Sequence, residues 1–240
     1  MADERRVRTD FSAAVLRPVP GYQAVVDYLR REMSLGRIQP GDRLPSERKL
    51  AEQLGVARET LRQALRILEG SGQIVVARGA SGGPIVQEAV LDPNVIRQDV
   101  ASRAEQILEL TEFRAVVEAA ACTLAADRCE DRDLAELERA QRELAAASSK
   151  AESRAADTRF HLAIAEAAGN TYLRESIEEA RVRMFDPVDL VSFDFIKDSS
   201  HAAHERILEA IRSGDGAAAA EAMRAHLSTT REEFSRVLQS

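Results

Sequence analysis

The stretch "ARETLRQALRILE", residues 57 to 69, limits more tightly than any other what this chain can fold into. Leu61, Ala64, Leu65 and Leu68 recur at helical spacing on one side, while Arg58, Glu59, Arg62 and Arg66 fall on the other. The apolar side needs a core, so the arginines are left facing outward. Upstream, Val25, Val26, Leu29 and Met33 mark a first helix over 21–35 that stops at Gly36. "PGDRLPSER" is then a turn punctuated by Pro40 and Gly41, with Ser46 placed to cap a short helix that runs to about Gln53 and ends at Gly55. Downstream, "QIVVA" and "PIVQ" flank "RGASGG" and predict two short strands joined by a loop.

Helix, helix, turn, helix, hairpin is the order of a winged helix-turn-helix. Charge is divided accordingly. Residues 1 to 86 hold 14 Lys and Arg against 10 Asp and Glu, whereas the whole chain of 240 residues has a net charge of −7. A basic first half and an acidic second half suit a chain whose first half alone meets a polyanion. An apolar content of 45% with 30% charged residues indicates a folded protein, long enough for two domains. No run approaches the roughly 18 apolar residues of a membrane helix. The start "MADERRVRTDF" lacks an apolar signal-peptide core, so the expected location is the cytoplasm, with no membrane partner. Cys122 and Cys129 lie seven apart on one expected helix, too far for a disulfide and without metal-type spacing, and are read as reduced thiols.

Beyond a short linker at Pro93 the pattern is helical, with alanine-rich segments at roughly 102–128, 131–147, 150–168, 171–185, 199–213 and 215–237. Their breakers are Asp131, Ser148-Ser149, Gly169-Asn170, Asp186-Pro187 and Ser213-Gly214-Asp215, and Asn170 is read as a helix-terminating residue rather than a ligand. The fold class predicted is mainly α: a winged helix-turn-helix over 11–86, a linker at 87–98, and over 99–240 an all-α antiparallel bundle of six to seven helices.

A recognition helix needs one buried face and one face of donors for phosphates and base edges, and arginine serves both targets. Arg58 stands at the start of such a helix, where an inserted helix reaches deepest. In isolation these arginines would be a solvated face paired with Glu59 and Glu69. The preceding turn, the following hairpin and the local charge favour DNA. "GDRLPSERKLAEQLGVARETLRQALRILEGSG" resembles the DNA-binding domain of the GntR family of bacterial transcription regulators over about residues 21–86. The resemblance implies that Arg48 holds DNA, that Arg58, Thr60 and Arg62 enter the major groove, that Arg78 and Gly79 approach the minor groove, and that Arg43 touches a phosphate. Ala57 departs from the family's frequent Ser and removes a side-chain cap. Glu59 replaces a small polar residue, repelling phosphate while able to accept from cytosine N4.

The four histidines, 161, 201, 204 and 226, all lie in the acidic half. Asp157 and His161 share a helix face at i and i+4, a spacing that is most often a surface pair. His204 and His226 stand about 15 and 18 Å from the break at Gly214 along two helices, so antiparallel packing brings them to nearly one level. An Asp and three His in a bundle interior suit a borderline divalent ion such as zinc, nickel or manganese, with zinc first. "DTRFHLAIAEAAGN" and "HERILEAIRSGDGAAAAEAMRAH" resemble the ligand-sensing FCD domain of the FadR subgroup of GntR regulators, over about residues 100–236. The resemblance implies Asp157, His161, His204 and His226 as metal ligands, with His201 outside the set. It also implies a small organic acid or related metabolite as effector, with Arg114 lining its cavity. A plain pairing of Arg114 with Glu118 is an equal alternative.

The reading is therefore a homodimeric, metabolite-responsive repressor that binds a palindromic operator in double-stranded DNA and is not an enzyme. Its rivals are a metalloenzyme, for which no accompanying acid, base or nucleophile is evident, a purely structural metal domain, and a constitutive DNA-binding dimer.

Overall fold

The computed structural model describes residues 20–77, 83–88, 98, 101–188 and 193–239, with the side chains of 185–196 and 237–239 left aside. Arg78, Gly79 and most of the 87–98 linker lie outside the described residues.

The first unit follows the apolar spacing. Helix α1 (Gly21–Ser34) buries Val25, Val26 and Leu29, α2 (Glu47–Gln53) buries Leu50 and Ala51, and α3 (Arg58–Gly70) buries Leu61, Ala64, Leu65 and Leu68. Strands β1 (Ile74–Ala77) and β2 (Gly83–Val86) pair antiparallel, Ile74 opposite Val86, and Ile74 and Val86 close the same core. The turn before α2 joins this hairpin: Arg43 bridges Ile85, and Leu44 N donates to Pro84 O at 2.9 Å. Ser46 does occupy the N-cap of α2, but its side chain makes no capping bond, and only its carbonyl accepts the first helical bond, from Leu50 N.

The second unit is a bundle of α4 (Ala104–Arg128), α5 (Asp131–Ala146), α6 (Lys150–Ala167), α7 (Thr171–Val188), α8 (Phe193–Arg212) and α9 (Gly216–Gln239). α4 packs along α9, α5 on α6, and α8 against α9, around a core that includes Cys122, Leu137, Phe160, Ile164, Ile177, Ile207 and Met223. The alanines let these helices approach closely. Both cysteines are free thiols; burial pushes both up, Cys129 to about 11.

Three details depart from the sequence reading. Asn170 does not terminate α6 but opens α7, its side-chain oxygen accepting from Tyr172 N at 3.1 Å and Leu173 N at 3.2 Å. α7 continues through Asp186-Pro187 to Val188, because a proline in the last turn interrupts few further helical bonds. α8 starts at Phe193, ahead of the expected 199, since nothing in "FDFIKD" breaks a helix.

The two units meet at the end of α1. Gly36 has φ +66°, and a Cβ there would lie 2.5 Å from Ala155 Cβ on α6; Gly55 has the same φ, with nothing within 4 Å. Gly55→Ala is expected to cost about 1–2 kcal/mol from left-handed strain alone. Gly36→Ala is expected to cost clearly more, measured by denaturant unfolding, because the added methyl also presses on α6. Equal losses would mean that the two units do not meet at Gly36.

Candidate metal centre and nucleic-acid face

Asp157 and His161 project from α6, His204 from α8 and His226 from α9, and one ligand atom from each lies within 4.8 Å of the others. His161, His204 and His226 are buried, with ring centroids 5.0–5.3 Å apart. Asp157 Oδ1 is 3.4 Å from His204 Nε2 and 3.9 Å from His161 Nε2. The ring of His204 is stacked on Phe160 at 4.0 Å and 8°, which fixes its plane.

Behind these residues stands a charged shell. Glu118 on α4 contacts His161 Nδ1 through one oxygen and accepts from Arg114 Nε at 2.6 Å through the other. Arg181 on α7 donates to Asp157 Oδ2 and, at 3.1 Å, to Thr158 Oγ1. Burial alone would raise the carboxyls of Glu118 and Asp157. Arg114 and His161 instead hold Glu118 well below the usual range, and Arg181 with the three histidines does the same for Asp157. Burial pushes the imidazoles down, His204 well below its ordinary value and His226 to about 3, so all three are neutral at neutral pH.

This donor set fits a divalent transition metal. Neutral His161 donates its Nδ1 proton to Glu118 and leaves the Nε2 lone pair facing Asp157 and His204. Among the described residues, His161 Nε2 and both ring nitrogens of His204 are buried without a hydrogen-bond partner, a costly arrangement in the absence of something to bind. Three imidazole nitrogens and one carboxylate oxygen are the ligands a borderline ion takes. His201, half-buried, is outside the cluster and offers only its carbonyl, to Gln141.

On the other unit, α3 exposes Arg58, Arg62 and Arg66 along one side. Arg62 is held by Glu47 at 3.1 Å and Glu59 at 3.3 Å, and Glu59 also reaches Arg66 at 3.5 Å. Arg58 has no ion-pair partner among the described residues. Arg48 is exposed beside Glu52, and Arg43 is exposed on the turn that meets β2. Thr60 stands apart from the arginines. It is half-buried, and its methyl carbon would be 3.4 Å from a Cβ on Gly21.

The description "Bacterial regulatory proteins, gntR family" matches residues 21–82, and the FCD domain matches residues 109–229. The chain belongs to the GntR family of bacterial regulatory proteins. It is 32% identical over 229 residues to the Uxu operon transcriptional regulator of Escherichia coli, spanning 90% of this chain and 88% of that one. It is 29% identical over 212 residues to the E. coli galactonate operon transcriptional repressor (82% and 90%) and 28% identical over 245 residues to the E. coli Glc operon transcriptional activator (98% and 91%). Among solved structures, E. coli McbR/YncC superposes with a TM-score of 0.56 over 91% of this chain and 98% of that one; at 24% identity it speaks to the fold alone. These relatives are regulators, which leaves the metalloenzyme reading without support.

For this GntR chain the sequence reading named Glu118 only as a partner for Arg114, missing its contact with His161, and did not name Arg181. The signal was present: Arg114 and Glu118 interrupt the buried stripe Thr111, Cys122, Ala125 of α4, and Arg181 stands between Ile177 and Met184 on α7. Charges in a core stripe need partners. Arg114 itself is buried and paired with Glu118, the alternative the spacing allowed.

Acid titration follows from the lowered imidazoles. Unfolded histidines titrate near 6.5. As pH falls below that value the unfolded chain gains protons that the folded site refuses, so stability is complete above about 6.5 and declines toward the folded value of about 3 for His226. Between about pH 6.5 and 5 the metal-free protein should lose up to ~1.4 kcal/mol per unit for each such imidazole. Denaturant unfolding of His226→Gln should give a shallower slope over this window, and parallel slopes would remove His226 from this role.

Proposed function

We propose that the chain is a transcription repressor whose helical domain holds a divalent transition metal, zinc before nickel or manganese, between Asp157, His161, His204 and His226. In this reading a small organic acid binding there changes the affinity for DNA. The observation that carries it is the convergence of three neutral buried imidazoles on one carboxylate, with ring nitrogens lacking hydrogen-bond partners among the described residues. Charge favours an anionic effector. Glu118 and Asp157 offset Arg114 and Arg181, so a bound divalent ion would leave the interior with two uncompensated positive charges. A carboxylate ligand offsets one of them and a dicarboxylate both, and Arg114 contributes to the positive field it meets. When bound, the metal supplies a Lewis-acidic site for such a ligand.

On the first unit, Arg58 and Arg62 take base edges in the major groove, and Arg43 and Arg48 take phosphates, with Arg78 and Gly79 at the wing. Thr60, on the flank of α3, takes a peripheral place in the same contact. Two chains acting as a homodimer in the cytoplasm would place two recognition helices on an inverted repeat. Repression as the sign is supported by the galactonate repressor's name and opposed by the Glc activator's, and a promoter-fusion assay with and without the protein decides between them.

Purified protein analysed by elemental mass spectrometry should carry about one transition metal per chain, absent from the Asp157→Ala/His161→Ala variant. A well-folded chain that takes up no metal would sink this assignment. A metal that stays bound while DNA affinity is indifferent to every carboxylate would make the ion structural.

Arg58→Ala or Arg62→Ala should weaken operator binding by about 1–3 kcal/mol at fixed salt, read by fluorescence anisotropy. Unchanged affinity in both would exclude α3 as the reading helix.

A further inference from the structure

Among the described residues, two contacts join the DNA-binding unit to the bundle, and both sit on the helices that carry Asp157 and Arg181. On α7, Glu178 accepts from Arg31 at 3.1 Å and from Arg37 at 3.2 Å, while Glu179 accepts from Arg31 at 2.6 Å. Arg174, on the same helix, braces Glu178 at 3.3 Å. Glu178 is only 8% exposed. Burial would raise its carboxyl, but Arg37 and Arg31 keep it low, so the pair is charged at neutral pH. The second contact is the Gly36 turn seated on Ala155 of α6, where there is no space for a side chain.

The distances along the two helices are short. Ala155 is two residues before the ligand Asp157. Glu178 is three residues before Arg181, on the same helix face, and Arg181 holds Asp157 Oδ2 and Thr158 Oγ1. A cleft of about 310 Å³ lies between the units, with Gly36 and Arg37 on one wall and Ala155, Thr158 and Arg159 on the other. Thr158 thus faces both the cleft and the guanidinium that carries the metal-site carboxylate. The end of α1 is gripped by the two helices that Asp157 and Arg181 tie together.

We infer that the Glu178 joint with Arg31 and Arg37, seated on the Gly36–Ala155 contact, is the route by which occupancy of the Asp157 cluster sets the position of the DNA-binding unit. This rests on the cluster being a metal site. An ion at Asp157 Oδ1 leaves Oδ2 on Arg181, so α6 and α7 are pinned to each other and to the histidine-bearing α8 and α9. α7 then presents Glu178 to α1 in a fixed place. Loss of the ion releases Oδ1 while Oδ2 stays on Arg181, so the α6–α7 pair is held less firmly against α8 and α9, and the grip on Arg31 and Arg37 slackens. A site can direct a distant element only through such a difference between two arrangements.

Hydrogen exchange on the full-length chain, stripped of metal and then supplied with zinc alone, tests the route. In the wild type, zinc should slow exchange in α6, α8 and α9 and also in residues 31–38, the latter by about fivefold or more, the lower end of ordinary coupling between sites. In Glu178→Gln, and separately in the Arg31→Gln/Arg37→Gln double variant, zinc should still slow α6, α8 and α9, but the effect on 31–38 should vanish. These variants break the joint from opposite sides, so a folding defect in one leaves the other as the test. Slowing of 31–38 that persists in both variants overturns the inference, as does a wild type whose bundle responds to zinc while 31–38 does not. Zinc that leaves the bundle itself unchanged overturns the metal reading and the route with it.

Discussion

Asp157 has two oxygens and two obligations, and the arrangement of the bundle depends on both being met. One oxygen faces His161 and His204, and the other is held by Arg181. A carboxylate set this far into the bundle, though not fully buried, needs partners, because the desolvation it suffers must be offset by good geometry. Glu118 repeats the pattern on the far side of His161, taking Arg114 with one oxygen and the imidazole with the other. The result is a chain from α4 through α6 to α7, Arg114 to Glu118 to His161 to Asp157 to Arg181, in which each carboxylate meets a guanidinium on one side and imidazole on the other. Its open valences are the histidine nitrogens, which is what distinguishes it from a purely structural ion-pair network.

The exposed side of α3 operates under a different regime. Arg62 and Arg66 already have carboxylate partners, yet Glu47, Glu59 and both arginines are substantially exposed. Pairs of this kind are worth about 0–1 kcal/mol. In the proposed DNA contact they would be displaced readily by a phosphate or a guanine edge. Glu59 touches both Arg62 and Arg66, so its replacement of a small polar residue alters the donors' placement as well as the local charge.

Legibility in the sequence tracked the physics of each feature. The core of the first unit was visible because its apolar residues repeat at helical spacing; Leu61, Ala64, Leu65 and Leu68 are all buried. The convergence of His204 and His226 was visible because one glycine break sets both distances. Side-chain capping was less legible. Ser46 has the right identity but makes no bond, while Asn170 caps the helix after it rather than ending the one before, since spacing does not say which way a short polar side chain turns. Glu118 was legible only as a partner for Arg114, and Arg181 was not singled out, because a charge in a core stripe implies a partner without naming it. Glu178 was also missed: its partners on the first unit, Arg37 and Arg31, lie 141 and 147 residues away, a pairing that no local pattern records.

The joint at Glu178 is of a strength suited to regulation. Its carboxylate is largely buried, but the side chains of Arg31 and Arg37 are 31% and 42% exposed, so solvent screens the attraction well below what a fully buried pair would give. A stronger clamp would hold the DNA-binding unit whatever the site contained, and a weaker one would transmit nothing. Coupling free energies between sites ordinarily amount to about 1–3 kcal/mol, within the reach of two or three partly screened pairs acting together. Thermodynamic reciprocity then fixes a consequence for the other end of the route. On the proposed route, whatever factor an ion contributes to operator affinity, operator DNA would contribute to ion affinity through the same arginines. A regulator built this way would hold a metal more tightly in whichever DNA-bound or DNA-free state the joint favours.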